Sequence, residues 1–128
     1  MSRQVPAGWP PEVPPPGAEH WERKAIGWLY DLCPPDHRAY GVLKAYPVLL
    51  ARVAREQVAA SIAACKRGAA TARADLGGRG ESGITVPLEA IEGLIAMYER
   101  EALRLETAAR AVVLVEYALA GKRFIPKL

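Results

Sequence analysis

Two runs of apolar residues at heptad spacing, separated by one glycine-rich segment, leave this 128-residue chain few folds to choose from. Before the break, Val58, Ile62, Cys65, Ala69, Ala72 and Leu76 follow one another at alternating steps of four and three. After it, Leu88, Ile91, Ile95, Tyr98, Ala102, Leu105, Ala109 and Val112 keep the same rhythm. Such spacing draws one apolar stripe along each of two helices. The break itself reads Gly77-Gly78-Arg79-Gly80-Glu81-Ser82-Gly83. Thr85, Pro87 and Glu89 follow it as a helix start, with a hydroxyl to cap, a proline in the first turn and an acid near the positive end of the dipole. Gly121 closes the second helix. Two long helices joined by about ten residues pack as antiparallel neighbours. The expected fold is therefore all-α, centred on a long antiparallel helical hairpin of coiled-coil type, with helices over residues 47–76 and 86–120.

The flanks are read from proline. Six of the 11 prolines lie in the first 16 residues, and each fixes φ and removes a donor, so residues 1–17 form an extended arm. Trp9 and Val13 make that arm apolar enough to dock on the protein's own body. The helical domain spans residues 18–121. Its first helix, residues 18–32, carries Trp21, Ala25, Ile26, Trp28, Leu29 and Leu32 at helical spacing until Cys33-Pro34-Pro35 interrupts it. A short helix over 36–46 follows, with Asp36 at its start; Pro47 ends or bends it, or equally is the first-turn residue of the next helix. Val42, Tyr46, Leu49 and Val53 repeat the seam spacing in a different phase, which predicts a shift of the seam near residues 53–58. Residues 122–128 are a basic tail with Lys122, Arg123 and Lys127.

Charge divides along the chain. The whole carries +3, but residues 36–76 hold +4 and residues 86–120 hold −3, so a basic helix faces an acidic one. The expected partners are Lys66 and Arg67 with Glu99 or Glu92, and Arg52 or Arg55 with Glu106.

Most chemistries find no residue set here. His20, Cys33 and His37 are too far apart along a helix to form a zinc site, and Glu92, Glu99 and Glu106 lack the Glu-x-x-His that a di-iron bundle needs. Cys65, Ser61 and Ser82 have no histidine close in sequence to activate them. The glycine loop has neither a preceding strand nor a phosphate-binding Gly-Lys-Ser/Thr pattern. No metal, cofactor or catalytic residue is expected, and the chain reads as a non-enzyme. Two cysteines 32 positions apart, no signal-like segment and no aliphatic run long enough to span a bilayer point to a cytoplasmic protein.

Residues 108–119 are interrupted only by Arg110 and Glu116, so that helix is apolar on nearly all sides and asks for cover on all of them. The first helix, the 40–46 stretch or a second chain must supply it. The interaction surface assigned from sequence is Tyr40, Leu43, Tyr46, Leu50, Val113 and Tyr117, with a homodimer or another protein as partner. The alternative is a transcription-associated regulator contacting DNA or RNA polymerase through Arg52, Arg55, Lys66, Arg67, Lys122 and Arg123; much of that basic helix faces its acidic neighbour, which disfavours nucleic acid. Arg outnumbers Lys by 12 to 5, a bacterial GC-rich bias. The segments WLYDLCPPDHRAY, YPVLLARVA and ALAGKRFIPKL resemble a family of small helical proteins of unassigned function from high-GC Gram-positive bacteria. The resemblance covers nearly the whole chain and implies no activity, cofactor or site residue.

Overall fold

A computed structural model describes residues 5–77 and 86–121. Among them are four α-helices, one 3-10 turn and no strand: α1 (Trp21–Asp31), the 3-10 turn Pro35–Ala39, α2 (Gly41–Ala45), α3 (Pro47–Leu76) and α4 (Leu88–Leu119). The fold class is all-α, as the heptad runs require. The chain divides into two compact units, one made of Met1–Val58 and Thr107–Leu128, the other of Ala59–Glu106. Most of the glycine loop, the Thr85 cap, Lys122, Arg123 and Lys127 lie outside the described residues.

The first unit has a core of Val13, Ala25, Leu29, Tyr30, Cys33, Leu43, Leu50, Ala51, Ala54, Val112 and Val115. All three tryptophans, Trp9, Trp21 and Trp28, pack against it. One face of the apolar 108–119 segment, with Ala111, Val112, Val115 and Ala118, thus finds its cover inside its own unit, from the arm and α1 as well as α3, while Val113 and Tyr117 stay exposed. The arm is an integral layer: Val13 is almost wholly buried and the Trp9 indole Nε1–H donates to the Val13 carbonyl at 2.8 Å. Gly8 lets the arm turn toward α4, since its φ of 95° lies in the left-handed region and a Cβ there would sit 3.6 Å from the Leu114 side chain.

The 36–46 stretch does not form one helix. Tyr40 is extended (φ −83°, ψ 108°) and separates the 3-10 turn from α2, and Tyr46 (φ −132°, ψ 89°) separates α2 from α3. Pro35 and Pro47 each occupy a first-turn position, where the missing N–H costs nothing. The first helix begins at Trp21, after a His20 held at φ 62°. The arginine of the 3-10 turn ties it to α1: Arg38 Nη2 meets Asp31 Oδ1 at 2.9 Å and its guanidinium lies 5.1 Å from the Tyr30 ring centre.

In the second unit, residues of α3 and α4 run antiparallel. Arg73 grips Glu92 through two hydrogen bonds of 2.7 Å, Tyr98 stands against Gly68, and Lys66 reaches Glu106 at 3.2 Å. This register differs from the expected pairing. Glu92 is taken by Arg73 rather than by Lys66 or Arg67, because the Tyr98 ring seats on Gly68 and sets the level of the two helices. In the first unit Arg55 meets Glu116 at 3.2 Å, not Glu106. Ile91, Ile95, Ala102 and Leu105 are buried as the seam predicts, whereas Leu88, at the first turn of α4, is exposed.

The Tyr98–Gly68 contact makes a sharp prediction. A Cβ on Gly68 would fall 2.6 Å from Tyr98 Cζ, well inside van der Waals contact. Gly68→Ala should therefore destabilise the protein by about 1–2 kcal/mol, although alanine is the better helix former by about 1 kcal/mol. In a Tyr98→Ala background the same change should stabilise. A urea double-mutant cycle checks both signs, and equal effects in the two backgrounds would disprove the contact.

Candidate interaction surface

Five large apolar side chains are exposed within residues 40–49: Tyr40, Val42, Tyr46, Val48 and Leu49. Three of them are more than half exposed, at 53% for Tyr40, 55% for Val42 and 61% for Tyr46. Local backbone explains why. Helix α2 is five residues long and commits one side chain, Leu43, to the core, while α3 commits Leu50 and Ala51. Every residue between Leu43 and Leu50 except the half-buried Pro47 is exposed. Leu43 and Leu50, assigned to the surface from sequence, are core residues that hold the segment down rather than groups that face a partner.

The segment is held in shape by backbone hydrogen bonds. The Tyr46 carbonyl accepts the N–H groups of Leu49 at 2.9 Å and Leu50 at 3.3 Å, starting α3, and the Tyr40 carbonyl accepts Leu43 N–H at 3.1 Å. The Tyr40 ring meets His37 edge to face, with centroids 5.5 Å apart. Two tyrosines are thereby displayed on anchored backbone, which lowers the entropy cost of docking them. Lys44 is the cation of this segment and is exposed. Val113 and Tyr117, one turn apart on α4, are also exposed, on the far side of that helix from the buried Val112 and Val115.

Of the four described basic residues assigned to nucleic acid, three face carboxylates. Arg52 pairs with Glu56 at 3.3 Å, Arg55 with Glu116 and Lys66 with Glu106. Arg67 is exposed and has no carboxylate partner among the described residues. The Arg73 hydrogen bonds hold the Glu92 carboxyl below its ordinary value, and Arg104 does the same for Glu101. Most of these groups are exposed, so the pairs that join α3 to α4, Arg55–Glu116, Lys66–Glu106 and Arg73–Glu92, orient the helices more than they stabilise them.

Among the described residues, no three His, Cys, Asp or Glu side chains come together as a metal set. Cys33 and Cys65 are free, and burial pushes the Cys33 thiol up despite the opposing pull of Arg38, leaving it protonated at neutral pH. No described helix is long and apolar enough to cross a membrane. The second unit carries a groove of about 550 Å³ with a floor that includes Cys65, Ala69, Ile95 and Ala102. Sequence reasoning missed this groove. Its signal was the run of small residues in the seam, which lets two helices approach yet leaves little side chain to fill the side of the hairpin. No protein-family model, curated protein or solved structure matches the chain.

Proposed function

We propose that this protein is a non-enzymatic helical interaction module that binds another protein through the tyrosine-bearing segment at residues 40–49. The observation that carries the reading is the display of Tyr40, Val42, Tyr46, Val48 and Leu49 around two core anchors. A folded chain gains nothing from placing five large apolar side chains in water within ten residues, and such clusters on soluble proteins mark contact sites. Tyrosine is among the residues that most often dominate binding energy, because it adds large contact area with few torsions to freeze. The partner is a protein surface with apolar pockets for two tyrosines and an acidic or carbonyl group for Lys44. Nucleic acid is a weaker reading, since Arg52, Arg55 and Lys66 already face carboxylates.

A photo-crosslinking side chain in place of Tyr46, in full-length protein in its native cells, should yield one dominant protein adduct. The same group at Ala63, an exposed position of the second unit, should not yield that adduct. An adduct pattern identical at the two positions would contradict the reading.

A further inference from the structure

We infer that the groove of the Ala59–Glu106 unit is a homodimerisation face, occupied in solution by the same groove of a second copy of this chain. Among its described residues the unit has two helical segments, and two helices can cover each other on one side each. On one face the seam is left as a groove with the small side chains of Cys65, Ala69 and Ala102 in its floor. Its rims are unlike each other. The α3 rim bears Lys66 and Arg73 beside the small Ala70, and the α4 rim bears Glu99 and Glu106 beside Leu103. Leu103 is 66% exposed, so one rim offers a large apolar knob and an acidic edge while the other offers a shallow surface and a basic edge.

That asymmetry selects the occupant and its orientation. In a symmetric dimer the same patch meets itself, so residue i of one copy meets residue j of the other and the reverse. A two-fold axis along the helices lays α3 of each copy on α4 of its mate. Each Leu103 then packs over the mate's α3 near the small Cys65 and Ala69, and each basic rim faces an acidic one. Lys66 and Arg73 keep their own partners Glu106 and Glu92, and gain Glu99 of the second copy as a further acceptor. A two-fold axis across the helices would instead set basic rim on basic rim and acidic on acidic, which opposes association. Both size and charge are self-complementary in the first arrangement, and a foreign helix would have to match two rims of opposite sign at once. The result is a four-helix bundle, in which the hairpin gains the cover that its own two helices lack.

The test is sedimentation of full-length protein across about 1 to about 200 µM, with the melting temperature of every variant recorded alongside. Wild-type mass should rise from the 13.9 kDa of one chain toward twice that value, less steeply at high salt. Leu103→Lys should melt as the wild type does at low concentration, because its side chain is exposed, and should dimerise more than about tenfold more weakly, because it sets a cation against the mate's basic rim. Leu103→Ser, which adds no charge, should weaken the dimer in the same direction. Tyr46→Ser, remote from the groove in sequence and in the other unit, should leave the dimerisation constant unchanged. A mass of one chain at every concentration would overturn the inference. So would a dimer that both Leu103 variants leave intact, or one that Tyr46→Ser dissolves and Leu103→Lys does not.

Discussion

Leu50→Asp should abolish cooperative folding of the unit that contains the arm, α1, α2 and the ends of α3 and α4. Leu50 is fully buried in a cluster whose other buried members include Leu29, Val112 and Val115, and no charged residue among those described is buried with it. A carboxylate placed there has no buried cation to pair with, so it must either be protonated or drag water inward. Either route costs on the order of 4 kcal/mol or more, a large part of the 5–15 kcal/mol that a domain of this size possesses. The contrast is Leu49→Asp, one residue away and exposed, which should shift stability by less than about 1 kcal/mol. Urea unfolding followed by circular dichroism distinguishes the two. Equal sensitivity at both positions would mean that α3 is rotated from the orientation described here.

Removal of residues 1–17 should be nearly as damaging. Val13 is almost entirely buried and Trp9 packs on the same cluster, its indole hydrogen fixed to the Val13 carbonyl. Losing the burial of these two side chains removes about 3–5 kcal/mol and uncovers apolar surface on α4. The shortened chain should unfold at lower urea and bind an apolar dye that the full chain does not. Val13→Asp should reproduce most of the effect without shortening the chain. Unchanged unfolding of the shortened protein would show that the arm is a passenger.

How much of this could be read from residues alone varies along the chain. The seam of the second unit was legible because long helices repeat their pattern many times: Cys65, Ala72, Ile91, Ile95, Ala102 and Leu105 are buried where the heptads put them. The stretch from Val42 to Val53 misled, because Tyr46 leaves the helical region and Pro47 starts a new helix, so a spacing counted across that break joins two unrelated faces. The buried set there is Leu43, Leu50, Ala51 and Ala54, not Val42, Tyr46 and Leu49. The same break is what turns the tyrosines outward. Ion pairs were anticipated in kind, basic α3 against acidic α4, but not in register, since the level of the helices is set by a ring seated on a glycine and no charge pattern records that. The docking of the arm was legible only in its apolar Trp9 and Val13, and the burial of Val13 is what shows it.

The claim that residues 40–49 are displayed for a partner rather than for folding is tested most directly by removing their apolar groups together. A Tyr40→Ser, Val42→Thr, Tyr46→Ser variant changes three side chains that are each more than half exposed. Its urea midpoint should correspond to a loss of no more than about 1 kcal/mol, as for surface substitutions in general, while the protein adduct trapped by a photo-crosslinking group at Leu49 disappears. A variant that is destabilised by about 3 kcal/mol or more, or one that keeps the adduct at full strength, would contradict the account.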